Sequence, residues 1–198
     1  MKILGLCGGS GSGKSLVCKC FLKHGIVSID ADKVYHELVS SNSDCLVELT
    51  NEFGNSILTS GTLDRRELAR IVFSDPSKLE RLNQITHKHI LGRIRNMITD
   101  YEEKGYNGVI VDAPLLFESG FDKECDFIAC VCADKDIRVK RITSRDNISN
   151  EDALIRISKQ IPDEILREKC NFVIENNGND ITELENVIDD IVKLIFDF

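Results

Sequence analysis

The sequence predicts an α/β fold in which short parallel β-strands form one sheet with helices on both faces. Five short segments are apolar along their whole length, which is typical of strands buried on both faces. They are Ile3–Cys7, Ile26–Ile29, Val109–Val111, Phe127–Cys132 and Phe172–Ile174. Longer amphipathic stretches separate them, and this alternation indicates βαβ units. A chain of 198 residues is most simply one domain.

Helices are predicted between the strands and after the last one. The segments with helical spacing are Ser15–Lys23, Pro76–Tyr101, Asp136–Ser144, Asn150–Ile161 and Ile181–Phe196. The longest begins with Asp75 as N-cap and Pro76 at the first helical position, and the last begins with the capping box Asp180-x-x-Glu183. No strand pattern occurs over about residues 31–107, which we expect to form a helical insertion beside the sheet.

The composition is that of an ordinary soluble globular protein. No stretch approaches the ~20 apolar residues needed to cross a bilayer, and the N-terminal segment is too short and glycine-broken for a signal peptide. The eight cysteines include no C-x-x-C pair, so we expect free thiols that behave as small hydrophobes. We therefore expect a cytoplasmic monomer with no membrane partner.

The formal net charge of −8 argues against nucleic acid as a partner, because nucleic-acid binders usually carry a basic surface. The charge is unevenly distributed, however. Residues 171–198 carry seven acidic side chains against the single base Lys193. The rest of the chain is nearly neutral, and it can hold a local basic site for a small phosphate-bearing ligand.

The strongest motif is Gly8–Ser15, which matches the phosphate-binding pattern G-x-x-x-x-G-K-[ST] between a strand and a helix. Glycines let the backbone wrap around phosphate oxygens, and the helix adds its positive N-terminal end. Lys14 can reach the β- and γ-phosphates, and the Ser15 hydroxyl can ligate Mg²⁺. The predicted ATP-binding residues are Gly8, Gly11, Ser12, Gly13, Lys14, Ser15 and Leu16.

This motif predicts nucleoside triphosphate binding and leaves the phosphate acceptor open. An Asn-Lys-x-Asp guanine-reading segment is absent from the sequence, which weighs against a GTPase. Asp30 and Asp32 follow the second strand, at the sheet edge where ligands bind in open α/β folds. A carboxylate there can take the proton of an attacking hydroxyl, although Asp30 can instead cap the next helix.

Two further sets of charges fit phosphoryl transfer. Asp112 ends a Walker-B-like strand and can hold Mg²⁺; the alternative is a plain strand-end carboxylate. The run Arg138, Lys140, Arg141 and Arg145 can form a lid that offsets phosphate charge, unless it is only a solvated helix face.

Other charged positions have simpler interpretations. Asp64 can cap a helix that begins with Arg65 and Arg66. Of the four histidines, His24 and His36 look incidental, and His87 and His89 fit a packed or exposed position on the long helix.

The order of these motifs resembles the dephospho-CoA kinase family, whose enzymes complete coenzyme A synthesis. Nearly the whole chain takes part in the match. Beyond the glycine loop, it includes Ile29–Asp32, Gly61–Arg66, Phe73–Pro76, Leu82–His87, Val111–Glu118, Lys140–Arg141, Arg145–Asp146, Arg156, Gln160 and Val173–Gly178. Two positions depart from the pattern: Lys88 stands where the family generally has proline, and Cys170-Asn171 replaces a common Ala-Asp.

The resemblance implies a P-loop NTPase three-layer sandwich with a five-stranded parallel sheet, a helical substrate-binding domain and a lid over about residues 138–160. It implies transfer of the γ-phosphate of MgATP to the ribose 3′-hydroxyl of dephospho-CoA. The runner-up enzyme is another small P-loop kinase that acts on a nucleoside, a nucleotide or a shikimate-like acceptor. A protein that binds ATP without phosphorylating a small molecule is a different class of function.

The resemblance also implies roles for individual residues. Asp32 becomes the acid that activates the 3′-hydroxyl, and Arg65 faces the acceptor. The phosphate clamps are Lys14, Arg141 and Arg145. Ser15 and Asp112 remain the metal ligands that the motifs described above predict. The loop Asn176–Gly178 would lie against the adenine of ATP.

Overall fold

The computed structural model describes residues 1–40, 43–178 and 181–196, and over these residues it contains seven β-strands and nine α-helices. The strands are β1 (Lys2–Cys7), β2 (Val27–Asp30), β3 (Leu58–Thr59), β4 (Thr62–Leu63), β5 (Gly108–Asp112), β6 (Phe127–Cys132) and β7 (Phe172–Glu175). The helices are α1 (Lys14–Leu22), α2 (Ala31–Ser40), α3 (Asp44–Phe53), α4 (Arg65–Phe73), α5 (Pro76–Glu103), α6 (Lys135–Asp146), α7 (Asn150–Ser158), α8 (Asp163–Lys169) and α9 (Ile181–Phe196).

The chain divides into two compact units. The sheet unit comprises residues 1–29 and the chain from residue 100 onward, and the helical unit comprises residues 30–99. Among the described residues, no helix is long and apolar enough to span a membrane. All eight cysteines lie in the described part of the chain, and none forms a disulfide.

The sheet unit contains a five-stranded parallel sheet in the order β2-β5-β1-β6-β7, which confirms the predicted fold class. In the central register, Leu6 of β1 is paired with Asp112 of β5, and Cys7 is paired with Cys130 of β6. This register brings the carboxyl ends of the three strands to one edge of the sheet, where ligands bind in open α/β folds.

Helices α1 and α9 pack with the sheet in one apolar core. Its fully buried members include Leu4, Leu6, Val17, Phe21, Ile26, Ile110, Ala129, Val131, Ile174 and Ile188. Phe21 is among the largest of these side chains and has no exposed surface, so Phe21→Ala would cost about 3–5 kcal/mol of stability. The capping residue Asp180 predicted for α9 lies outside the described residues.

The helical unit has its own core and its own caps. The core contains Val39, Cys45, Leu49, Ile57, Leu68, Val72 and Ile85. Asp64 accepts hydrogen bonds from the backbone N–H groups of Arg66 and Glu67 at the start of α4. Asp75 accepts one from Ser77 N at 2.9 Å. Both N-caps were predicted from the sequence, and both are confirmed.

A hairpin in the helical unit corrects the prediction of a strand-free insertion. Strands β3 and β4 pair antiparallel, with Thr59 opposite Thr62. The two residues between them, Ser60 and Gly61, have φ values of 52° and 81°. Positive φ at both positions matches the twist of a two-residue hairpin. Each strand is only two residues long, which is too short to give an alternating pattern.

A second correction concerns the segment after α6. The predicted helix Asn150–Ile161 ends at Ser158, and the short helix α8, which was not predicted, begins at Asp163. Pro162 separates the two helices because the residue before a proline is disfavoured in the helical conformation. This break places Gln160 in a connecting turn.

The two positions that depart from the family pattern both have partners. Lys88 and His89 on α5 donate to the Glu48 carboxylate on α3 at 2.9 and 2.7 Å, and these bonds, led by the one from Lys88, lower the pKa of Glu48. His89 is thus a packed histidine, as predicted. At the start of β7, the Asn171 side chain accepts a hydrogen bond from Ile128 N at 2.8 Å.

Candidate functional site

The glycine loop connects β1 to α1 and turns through conformations that favour glycine. Gly8, Gly11 and Gly13 have φ values of 144°, 79° and 99°. A Cβ at Gly8 would lie 2.5 Å from the carbonyl oxygen of Val131, and one at Gly13 would lie 2.0 Å from the Asn176 Nδ2. Gly13 is also the N-cap of α1. The positive end of the helix is therefore left to an anion rather than to a capping side chain.

Lys14 lies beside the predicted metal ligand. Its Nζ donates to the Gly8 carbonyl at 3.0 Å and lies 3.8 Å from the Asp112 carboxylate at the end of β5. Both side chains are mostly buried, at 16% and 15% exposure. The loop is thus spanned by an ammonium group that a phosphate oxygen can attract away from the carbonyl. Ser15 follows in the first turn of α1, where it is exposed.

The oxygen donors at this edge suit a magnesium ion that is shared with phosphate. Within the described residues, no group of three or more His, Cys, Asp or Glu side chains could hold a metal by itself. Mg²⁺ usually binds through one or two protein oxygens together with substrate phosphates and waters. The hydroxyl of Ser15 and the carboxylate of Asp112 fit that donor set.

Arg141 on α6 binds the glycine loop directly. Its Nη1 donates to the carbonyls of Gly11 and Ser12, each at 3.2 Å, and its Nη2 donates to Asn176 Oδ1 at 3.4 Å. Asn176, which is 5% exposed, donates in turn to Ser12 O at 2.7 Å. Helix α6 and the loop after β7 are therefore joined to the phosphate-binding loop.

Arg145 has a different environment from Arg141. Its side chain is 61% exposed and forms two hydrogen bonds with Asp146, at 2.7 and 2.9 Å. Asp146 also pairs with Arg156 on α7. The bonds from Arg145 and then Arg156 lower the pKa of Asp146 to about 2. The structure thus brings Lys14, Asp112 and Arg141 together, while Arg145 is engaged with its neighbour.

Arg138 does not lie on a solvated helix face, which was the alternative to its predicted place in the lid. The side chain is 5% exposed and donates to Ser10, Gln160 and Asp163. The sequence of α6 alone could not show that acceptors from two distant segments surround Arg138.

The predicted acceptor residues belong to the helical unit. Asp30 accepts a hydrogen bond from Lys33 N at 3.0 Å, so the capping alternative is confirmed for Asp30. Asp32 is exposed in the first turn of α2. Because it is not needed as a cap, its carboxylate is left for other chemistry.

Arg65 lies at the start of α4, and it contacts residues that sequence analysis passed over. Its guanidinium donates to Nδ1 of His36 and lies 5.9 Å from the centre of the Tyr35 ring. His36 follows Asp32 by four positions on α2, so the two share a helix face. That spacing was the available signal for His36, and it was overlooked.

Comparison with known proteins gives one consistent family. The model of the dephospho-CoA kinase family matches residues 2–182. A dephospho-CoA kinase from Fusobacterium nucleatum subsp. nucleatum is 41% identical over 179 residues, which cover 89% of this chain and 90% of that protein.

Two solved structures extend the comparison to the fold. TT1252 from Thermus thermophilus has a TM-score of 0.81 and 30% identity, with 98% of this chain and 97% of that chain covered. A dephospho-CoA kinase from Campylobacter jejuni has a TM-score of 0.69 and 26% identity, with 98% and 96% covered. The similarity therefore includes residues of both the sheet unit and the helical unit.

Proposed function

The chain belongs to the dephospho-CoA kinase family, and on this premise we propose which of its residues carry out the reaction. The enzyme transfers a phosphoryl group from ATP to the ribose 3′-hydroxyl of dephospho-CoA, giving coenzyme A and ADP, the last step of coenzyme A biosynthesis. The observation that carries the proposal is the glycine loop, with Lys14, Asp112 and Arg141 gathered around it.

We propose that the loop residues Gly8–Leu16 bind the phosphates of ATP. The backbone N–H groups at the start of α1 and the Lys14 ammonium hold the β- and γ-phosphates. Arg141, and Arg145 once it leaves Asp146, offset the negative charge that spreads over the transferring group. Asn176–Gly178 lies against the adenine.

The acceptor hydroxyl is activated by Asp32. The 3′-oxygen attacks the γ-phosphorus, the bond from that phosphorus to the β-phosphate oxygen breaks, and the hydroxyl proton passes to the Asp32 carboxylate. Arg65 binds the anionic acceptor. Exposure of Asp32 in the first turn of α2, with Asp30 serving as the cap, supports this assignment.

Mg²⁺ is the proposed metal, with Ser15 and Asp112 as its protein ligands. When bound, the ion neutralises charge on the β- and γ-phosphates. Removal of divalent cations with EDTA should abolish ADP formation, and Mg²⁺ should restore it. We further propose that the protein is a cytoplasmic monomer. The net charge of −8 favours the absence of a nucleic-acid partner.

ADP release tests the function when it is measured with dephospho-CoA, AMP, uridine or shikimate as the acceptor. We expect release with dephospho-CoA that greatly exceeds release with the other three, and coenzyme A as the product. Turnover of AMP, uridine or shikimate with none of dephospho-CoA would contradict the proposal. ATP binding without any turnover would point to a nucleotide-dependent binding protein.

A further inference from the structure

Arg138 is a buried arginine that the reaction proposed above does not use. It lies near the start of α6, where 5% of the residue is exposed. Its Nε donates to Ser10 O at 3.0 Å, its Nη2 to Gln160 Oε1 at 2.8 Å and its Nη1 to Asp163 Oδ1 at 3.0 Å. A buried charge is costly unless it is paired and hydrogen-bonded. These three acceptors, one of them a carboxylate, therefore fix the guanidinium in one position.

Gln160 also binds the glycine loop at Ser10, the residue that Arg138 contacts. Ser10 N donates to Gln160 Oε1 at 3.0 Å, and Gln160 Nε2 donates to Ser10 Oγ at 2.9 Å. Together with Arg138, the amide therefore engages the N–H, the carbonyl and the hydroxyl of Ser10. Gln160 stands in the turn between α7 and α8, so this turn is tied to the loop.

The absence of side chains at the loop glycines leaves the space that Arg138 and Gln160 occupy. A Cβ at Gly9 would lie 2.0 Å from Arg138 Nη2 and 2.8 Å from Gln160 Oε1. A Cβ at Gly11 would lie 2.7 Å from the carbonyl oxygen of Arg138. The start of α6 is thus in direct contact with the loop, and any larger residue at Gly9 would push Arg138 and Gln160 out of place.

We propose that Arg138 and Gln160 are positioning residues that hold the phosphate-binding loop in its nucleotide-binding conformation and fasten the end of α7 to it. They touch the loop at Ser10 and act on nucleotide through the loop's backbone. Asp163 completes the set by neutralising Arg138. The proposal rests on the proposed function in one respect, namely that this loop binds the phosphates of ATP.

Removal of Gln160 should weaken the binding of ATP and ADP together, because the loop conformation matters to both. In Gln160→Ala we expect ADP affinity, measured by calorimetry on the full chain, to fall about tenfold, in line with the loss of a few hydrogen bonds. The matched control is Gln84→Ala, which removes a glutamine that bonds to Arg81 and Glu80 on α5. ADP affinity in that variant should stay within about twofold of the unchanged chain.

Steady-state kinetics distinguish a positioning role of Gln160 from a general effect of its removal on protein stability. In Gln160→Ala the KM for ATP should rise, the KM for dephospho-CoA should stay unchanged, and kcat should change by less than the KM for ATP. Equal ADP affinity in Gln160→Ala and Gln84→Ala would overturn the proposal. Because ADP binding needs no acceptor, this result is independent of whether dephospho-CoA is the substrate.

A double-mutant cycle supplies a second test that does not depend on a loss of folding. Ser10→Ala removes the hydroxyl that accepts from Gln160. If the two residues act through this bond, the double variant should lose less ADP affinity than the product of the two single losses. Strictly multiplicative losses would contradict the proposal. Arg138→Lys should also weaken ADP binding, because an ammonium group cannot serve three acceptors in the fork geometry of a guanidinium.

Discussion

The sheet unit and the helical unit hold their candidate site residues in different ways. In the sheet unit these side chains bond across long stretches of sequence: Arg141 reaches Gly11, and Asn176 reaches Ser12. In the helical unit, Asp32 and Arg65 are exposed at the first turns of their helices. Caps within the same helical turn set their positions. Arg65 on α4 also contacts Tyr35 and His36 on α2.

This difference fits the proposed division of work between the two units. On the proposed nucleotide side, the charged groups already have partners that phosphate can replace. The proposed acceptor side presents a carboxylate and a guanidinium that are exposed to solvent. Substitutions of Asp32 or Arg65 in the helical unit should therefore change catalysis and acceptor binding without changing nucleotide binding, whereas substitutions of the loop residues in the sheet unit should weaken nucleotide binding.

The largest effect is expected from Asp32→Asn. Loss of the proton acceptor should lower kcat about 10²- to 10⁴-fold and leave the KM for ATP nearly unchanged. Steady-state rates of ADP release with dephospho-CoA measure both constants. Asp30→Asn is the matched control, since asparagine caps a helix as well as aspartate does. A kcat that falls equally in both variants would remove the special role of Asp32.

The second-largest effect on activity is expected from Lys14→Met in the sheet unit. Removal of a positive group aimed at the transferring phosphate should lower kcat about 10²- to 10³-fold, and ATP binding should weaken as well. Lys19→Met on the same helix controls for the loss of one surface charge. Unchanged ADP affinity in Lys14→Met would break the division of work, because it would take this lysine out of the nucleotide side.

A smaller effect is expected from Arg65→Gln. Loss of a charge-assisted contact with the acceptor should raise the KM for dephospho-CoA about tenfold or more. The KM for ATP should not change, because Arg65 belongs to the helical unit. Kinetics with each substrate varied in turn provide the check. A rise in the KM for ATP alone would show that Arg65 acts on ATP and not on the acceptor.

The smallest effect concerns the pair of arginines around Asp146. The pKa of this carboxyl is about 2 in the folded chain, against an ordinary value of 3.8. A carboxyl with a lowered pKa stabilises the fold at pH values above its ordinary pKa. This contribution is lost as the pH falls from about 4 through 2. Asp146→Asn should therefore lower Tm near neutral pH, and the Tm difference should shrink as the pH falls through this range. A difference that stays constant down to pH 2 would argue against the pairing.

The parts of the molecule that follow from local sequence signals could be predicted. Apolar runs gave the five parallel strands, and Asp64 and Asp75 were recognised as caps because capping depends on residues within one turn. The glycine loop was recognisable because its residue types are dictated by phosphate geometry.

The parts that depend on contacts between distant segments could not be predicted. Arg138 was assigned to the lid, with a solvated helix face as the alternative, because nothing in its neighbourhood on α6 reveals that Gln160 and Asp163 lie beside it. The short helix α8, which follows Pro162, was not predicted, and the predicted helix before it was three residues too long. His36 was set aside because its partner Arg65 is 29 positions away along the chain.

The division between the two units is tested most directly by ADP binding to the double variant Asp32→Asn/Arg65→Gln. Calorimetric titration should give the same ADP affinity as for the unchanged chain, while the same preparation no longer forms coenzyme A from dephospho-CoA at a measurable rate. A loss of ADP affinity that accompanies the loss of turnover, with Tm unchanged, would contradict the account, because nucleotide binding would then depend on the residues assigned to the acceptor.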